Sequence, residues 1–239
     1  MKFDQDIKGI IFDYGGTLDS RGDHWSEVIW NGYRAAGVDV DKELFRDAYV
    51  HAERALAKHP YIRPDHNFLD LLRIKMLIEL EWLADRGAIE PELVKLKAEA
   101  VARYCYSFAR SCVEEARPVL EALAERFPLV LVSNFYGNIA SVLADFSLDK
   151  FFPQIIESAV VGVRKPDPEI FRLGVRALGL EPEQVLVVGD SLKKDILPAE
   201  SIGCRVAWLK GKGWTPEEDA AVHPSVISSL SDLLPLLGI

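Results

Sequence analysis

The sequence predicts an α/β fold: a mostly parallel sheet, covered by helices on both faces and broken after its first strand by a helical insertion. Three observations carry this. Short apolar runs of strand length, Gly9 to Asp13, Leu129 to Ser133 and Val185 to Gly189, each end in polar residues. From about Arg117 onward, helical and strand-like patterns alternate, the order that builds a parallel sheet. Between the first run and that alternation, apolar residues recur only at the three- and four-residue steps of a helix face.

Taken in order, Gly9 to Asp13 stops in Tyr14-Gly15-Gly16, as a buried strand entering a loop would. From Trp25 to Val113 the spacing is helical. Leu44, Phe45, Ala48, Tyr49 and Ala52 form one stripe, Leu69, Leu72, Met76, Leu80 and Leu83 a second, and Leu93, Leu96, Ala100, Tyr104 and Phe108 a third. Pro60, Pro64, Gly87 and Pro91 punctuate them. After Arg117-Pro118 the expected elements are a helix over Val119 to Arg126, a strand over Leu129 to Ser133, a helix over Gly137 to Phe146 and a short strand at Ile155-Ile156. A helix from Pro168 to about Leu178 has proline in its first turn, where no hydrogen bond is lost. Val185 to Gly189 and Arg205 to Trp208 read as strands around a helix over Leu192 to Ser201. Val226-Ile227 and Leu230 to Leu237 add a last strand and helix. The division expected is a core of residues 1–19 with 117–239 and an insertion of residues 20–116.

Composition narrows the function classes. With 239 residues, 49% apolar and 27% charged, the chain has the profile of a globular protein. A net charge of −9 disfavours nucleic-acid binding, which needs basic side chains against phosphates. No apolar run approaches the roughly 20 residues of a membrane span, and Met1 to Ile7 mixes charges in a way unlike a signal peptide. Cys105, Cys112 and Cys204 lack paired spacings, so they read as core residues in a reducing, cytoplasmic setting.

In an open parallel sheet the site lies beyond the carboxyl ends of the strands. Asp13 and Asp190 stand there, two carboxylates that would repel unless a cation lies between them. An all-oxygen site with few carboxylates suits Mg²⁺, which shares its coordination with substrate phosphate and water. Lys165, in a loop stiffened by Pro166 and Pro168, can point its ammonium inward. Ser133 and Asn134 offer a hydroxyl and an amide to anionic oxygens. Gly15, Gly16 and Thr17 form a turn whose backbone N–H groups can approach an oxyanion. The expected partner is a small phosphorylated or otherwise anionic substrate.

These residues resemble a family. Phe12-Asp13-Tyr14-Gly15-Gly16-Thr17-Leu18 is similar to the first motif of the haloacid dehalogenase superfamily of hydrolases, usually D-x-D-G-T. Ser133-Asn134 is similar to the second, Arg164-Lys165-Pro166-Asp167-Pro168 to the third, and Gly189-Asp190-Ser191-Leu192-Lys193-Lys194-Asp195 to the fourth. The resemblance spans Ile10 to about Ala207 and implies a Rossmann-like core with a helical cap over 20–116. It implies a magnesium-dependent hydrolase, most simply a phosphatase. Asp13 would be the nucleophile. Asp13, the Gly15 carbonyl and Asp190 would hold Mg²⁺. Lys165 and Ser133 would serve catalysis, and Gly16, Thr17, Ser133, Asn134 and Lys165 would bind the phosphate. Asp195, with Ser191, would support the site by orienting metal-bound water or Lys165. Cleavage of a carbon–phosphorus or carbon–halogen bond, or binding without turnover, are the alternatives.

One departure stands out. Phosphatases of the family carry a second Asp two residues after the nucleophile, which protonates the leaving oxygen; here that position is Gly15. Losing a general acid costs roughly 10²–10⁴ in rate. A glycine there can also serve a positive φ that Asp tolerates poorly. His24 is the nearest substitute donor in the sequence. Asp19 reads as a turn residue or a pocket residue. His51, Arg54, Lys58, His59, Arg63 and His66 form a basic stretch that could recognise the non-reacting end of a substrate.

Overall fold

A computed structural model describes residues 7–239; the reading of the N-terminal segment up to Asp6 lies outside the described residues. Six strands form one parallel sheet: β1 (Gly9–Phe12), β2 (Leu129–Ser133), β3 (Gln154–Glu157), β4 (Val185–Gly189), β5 (Arg205–Leu209) and β6 (Val226–Ile227). Their order is β3-β2-β1-β4-β5-β6. Both faces are buried, which is why the strands read as continuous apolar runs. Ile10, Phe12, Leu129, Leu131, Leu186 and Val188 point to one face. Ile11, Val130, Val132, Val185 and Val187 point to the other.

Between β1 and β2 the chain is helical: α1 (Trp25–Ala35), α2 (Lys42–Lys58), α3 (Phe68–Ala84) and α4 (Val94–Ala124). Asp41 and Asn67 cap α2 and α3 through their side chains, and Asn67 with Asp70 completes a capping box. The sequence pattern placed a break at Arg117-Pro118. Instead α4 runs 31 residues through Pro118. One buried stripe, from Val94 through Ala98, Cys105 and Cys112 to Leu123, spans the whole helix. Its packing outweighs the backbone hydrogen bond that proline cannot make, of order 3 kcal/mol for a helix interior. The first part of α4 packs on α1 and α3. Its last turns join the core face of the sheet through Val119, Leu120 and Leu123.

The rest follows the predicted alternation: α5 (Ile139–Asp145), α6 (Ser158–Val161), α7 (Glu169–Leu178), α8 (Leu197–Ser201), α9 (Pro216–Ala220) and α10 (Leu233–Leu236). The helix expected over Leu192–Ser201 begins with one wide π-helical turn, Leu192–Ile196, before α8. All three cysteines are buried and free, as read. Among the described residues, no helix is long and apolar enough to cross a membrane.

Strand order fixes where chemistry can sit. From β1 the chain goes to β2 and β3 on one side and then returns to β4 on the other. Helices change face at this switch point, which opens a crevice at the strands' carboxyl ends. The register pairs Phe12 with Val188, and the Asp13 N–H donates to the Val188 carbonyl at 2.9 Å. Asp13 and Asp190 therefore leave adjacent strands at the same end.

Candidate active site

Lys165 lies at the centre. Its Nζ donates to Asp13 Oδ1 and to Asp195 Oδ1, both at 2.6 Å, and the three side chains are nearly inaccessible. Burial alone would push the lysine pKa down. Asp13 and Asp195 outweigh it and hold the group above the ordinary lysine range, so it is charged. Asn134 fixes the backbone behind it. The Asn134 amide donates to the Lys165 carbonyl at 3.0 Å, and its oxygen accepts from the Lys165 N–H at 2.9 Å. The Asn134 side chain, read as a phosphate ligand, is thus committed to positioning Lys165. Ser133, at the end of β2, is 1% exposed, and its hydroxyl makes no hydrogen bond among the described residues.

Asp190 forms no ion pair among the described residues. The Thr17 hydroxyl lies 3.2 Å from its Oδ1 and 3.4 Å from Asp13 Oδ2, between the two carboxylates. One carboxylate oxygen each from Asp13, Asp190 and Asp195 lies within 4.8 Å of the others. Burial and then the charges of Asp195 and Asp13 push Asp190 well above the usual carboxylate range. Asp195 is already occupied: Oδ1 by Lys165 and Oδ2 by the Ser191 N–H at 3.0 Å. Ser191 also caps the following turn by accepting from the Lys194 N–H at 3.2 Å. Both Asp195 oxygens are thus committed, whereas Asp190 and the second oxygen of Asp13 face only the Thr17 hydroxyl among the described residues.

The turn after β1 is shaped by close approach. Gly16 has φ +100°, and a Cβ there would run into the Asp190 carboxyl. Gly15 differs: its φ is not positive, and a Cβ would meet nothing within 4 Å. Backbone geometry therefore does not require glycine at this position. The Gly15 carbonyl accepts no hydrogen bond among the described residues.

Asp19, read as a turn or pocket residue, is fully buried and ties the turn together. It accepts from the Gly16 N–H at 2.7 Å and from Trp25 Nε1 at 3.1 Å. Burial pushes its pKa up to about 8. Two supporting donors carry no signal in the sequence: Trp25, whose Nε1 reaches Asp19, and Trp208, whose Nε1 donates to the Asp190 carbonyl at 2.6 Å. An indole among apolar neighbours carries no sequence signal of its hydrogen bond.

His24 is the N-cap of α1, its Nδ1 accepting from the Ser26 N–H at 3.2 Å. Burial, with Lys194 and Lys75 nearby, lowers it to about 4, so it is neutral near neutral pH and carries no imidazolium proton to donate. In the basic stretch, His51, Arg54, Lys58, His59 and Arg63 are exposed, and Arg63 pairs with Asp65 at 3.1 Å. The buried face of α2 carries Tyr49 and Ala52 instead.

A parallel sheet of this order, with an aspartate after β1, a lysine bridging to a second aspartate and a third carboxylate beside them, defines a class of hydrolase. The sequence profile of the haloacid dehalogenase-like hydrolases matches residues 7–203, and the chain belongs to that family. A glyceraldehyde 3-phosphate phosphatase from Methanocaldococcus jannaschii is 35% identical over 97% of this chain and 97% of its own length. A phosphoglycolate phosphatase from Shigella boydii serotype 4 is 28% identical over 98% of this chain and 94% of its own. Among solved structures, the HAD-hydrolase YfnB from Bacillus subtilis, bound to magnesium, superposes with a TM-score of 0.62 at 19% identity. It covers 98% of this chain and 99% of that one, a likeness of fold.

Proposed function

We propose that this hydrolase is a Mg²⁺-dependent phosphatase of small phosphorylated metabolites that works through an aspartyl-phosphate on Asp13. The observation that carries the reading is the Lys165 bridge between Asp13 and Asp195, with Asp190 left as a second open carboxylate. The phosphatases among the relatives, named for glyceraldehyde 3-phosphate and phosphoglycolate, support the substrate class.

The residues present fit a magnesium ion. Asp13 and Asp190 are oxygen donors without enough positive charge between them, and the Gly15 carbonyl is uncommitted. When bound there, the ion would neutralise the two carboxylates and draw charge from the transferring phosphoryl group. The side chains do the rest. Lys165 keeps Asp13 ionised and stabilises charge on the equatorial oxygens. The Gly16 and Thr17 N–H groups, expected from the sequence to bind phosphate, are instead taken by Asp19 at 2.7 Å and by the Tyr14 carbonyl at 3.1 Å, which leaves the Ser133 hydroxyl as the donor for that group. An Asp13 carboxylate oxygen forms a bond to phosphorus as the bond to the leaving oxygen breaks. With Gly15 in place of an acid, the leaving oxygen takes its proton from solvent. Water then attacks the phosphorus of the aspartyl-phosphate, giving up its proton to solvent and releasing phosphate and Asp13.

Phosphate release from a panel of sugar, acyl and aryl phosphates, with and without Mg²⁺, tests the reading. Release that needs Mg²⁺ and disappears in Asp13→Asn is expected. Halide release from a 2-haloacid, with no phosphate released from any ester, would replace it with a dehalogenase.

A further inference from the structure

A second polar cluster sits at the seam between the helical insertion and the core. Glu53 of α2 pairs with Lys75 of α3. The hydroxyl of Tyr136, three residues beyond Ser133 in the loop after β2, donates to Glu53 at 3.1 Å. Lys75 Nζ also lies 4.1 Å from the centre of the Tyr49 ring. Trp214, from the loop after β5, and His24, from behind the first motif, complete the surround. The Tyr49 and Trp214 ring centres are 5.3 Å apart, and those of His24 and Trp214 are 5.2 Å apart. The cluster thus draws on both helices and on loops that follow β1, β2 and β5, all at the crevice end of the sheet.

Three features separate this cluster from ordinary packing. Lys75 is buried, whereas 36% of the Glu53 side chain is accessible. A carboxylate has about four lone-pair positions, and Lys75 and Tyr136 do not fill them. The Tyr136 ring packs on Phe135 at 5.4 Å between centres, and Phe135 packs at 5.7 Å on Tyr14, the neighbour of Asp13, which ties the cluster to the Asp13 site. Burial pushes Glu53 up, but Lys75 and Tyr136 outweigh it, and the group is ionised. A buried charge pair is a poor stabiliser compared with apolar packing of the same volume, so its presence here calls for another reason.

We infer that Glu53, held by Lys75 and Tyr136, is the specificity-determining residue for the non-reacting end of the substrate and selects an uncharged, hydroxyl-bearing tail. The inference rests on the phosphatase reading for the location of the phosphate. Glu53 offers free acceptor positions to hydroxyl donors, and its pairing with Lys75 limits repulsion of the phosphate. A tail ending in carboxylate would face the Glu53 charge and is disfavoured. Trp214, only partly buried, supplies a flat apolar wall for the carbon chain.

Binding separates this inference from the chemistry. In an Asp13→Asn background, where turnover is stopped, dissociation constants with Mg²⁺ present are compared for inorganic phosphate, glycerol 3-phosphate and 2-phosphoglycolate. Glycerol 3-phosphate should bind about tenfold tighter than inorganic phosphate, the scale of a hydrogen bond to a charged group, and 2-phosphoglycolate should show no such gain. Adding Glu53→Gln should collapse that ratio several-fold. Tyr136→Phe, which removes one hydroxyl, should weaken it in the same direction if Glu53→Gln fails to fold. Glycerol 3-phosphate binding no tighter than phosphate, or a ratio unmoved by either substitution, overturns the inference. So does a melting temperature that falls while the ratio stays, which would make the cluster a clasp between the two parts. A preference for 2-phosphoglycolate lost in Lys75→Met would overturn it in favour of a carboxylate subsite. If the ratio behaves as expected but wild type releases no phosphate, the subsite stands and the phosphatase reading fails.

Discussion

At the scale of single residues, the site pairs strong positioning with one missing function. Lys165 is fixed at its backbone by Asn134 and at its tip by Asp13 and Asp195. Truncating Asn134 to alanine leaves the carboxylates untouched but frees the loop. A shift of about 1 Å in a catalytic group costs on the order of 10²-fold in rate. Asn134→Ala should therefore lower kcat on p-nitrophenyl phosphate by 10- to 100-fold with little change in Mg²⁺ affinity; an unaltered kcat would show that the clamp is dispensable. Gly15 is the missing function. Because its φ is ordinary and the space beyond its Cα is open, Gly15→Asp is sterically free. Wild type should favour aryl over alkyl phosphates, since an alkoxide leaving group needs a proton. The variant should raise the alkyl-to-aryl ratio by tenfold or more. A folded, Mg²⁺-binding variant with the wild-type ratio would mean that proton supply is not what glycine removes. His24, neutral and engaged in capping α1, gives no ground for expecting a proton donor there.

At the scale of elements, the helices of the insertion bury charge as well as apolar surface. Glu79 of α3 is fully buried; it accepts from the Tyr33 hydroxyl at 2.8 Å and leaves its second oxygen unpaired. Burial pushes it up to about 7 from an ordinary 4.5. A raised carboxylate favours the fold when protonated. Its contribution is therefore complete below pH 4.5 and lost as pH rises toward 7, by up to about 3 kcal/mol for this one group. Denaturant unfolding of Glu79→Gln between pH 5 and 8 should fall less steeply with pH than that of wild type. Parallel curves would place the titration elsewhere. Strands and motifs were legible in the sequence because a sheet buried on both faces leaves uninterrupted apolar runs that stop at Asp13, Ser133 and Asp190. The continuity of α4 was not, since a proline reads as a break whenever tertiary packing is out of sight. Nor was the cluster around Glu53: its members come from five separate segments, and charge at helix positions 53 and 75 looks like solvated surface. The basic residues that did attract notice, Arg54 and Lys58, are exposed.

For the whole molecule, the switch point between β1 and β4 concentrates negative charge that the folded chain does not balance by itself. Lys165 answers Asp13 and Asp195, while the Asp190 carboxylate meets only the Thr17 hydroxyl among the described residues. The chain as a whole also carries a net charge of −9. Folding without a cation therefore carries a repulsion that Asp190→Asn removes, and the metal-free variant should melt above the metal-free wild type. With Mg²⁺ the order should reverse. An ion that binds only the folded state stabilises by about 2.7 kcal/mol at 100 times its Kd, and a chain of this size gains roughly 2–4 °C per kcal/mol. Wild type should thus rise by about 5–10 °C in saturating Mg²⁺, while Asp190→Asn, short of one ligand, rises far less. Calorimetric melts of both proteins, in chelator and in Mg²⁺, give the four temperatures needed. Crossing of the two proteins between the conditions is the expected outcome. Equal Mg²⁺ shifts would remove Asp190 from the metal site, and a metal-free variant that melts below wild type would show that the Asp190 charge is already balanced in the fold.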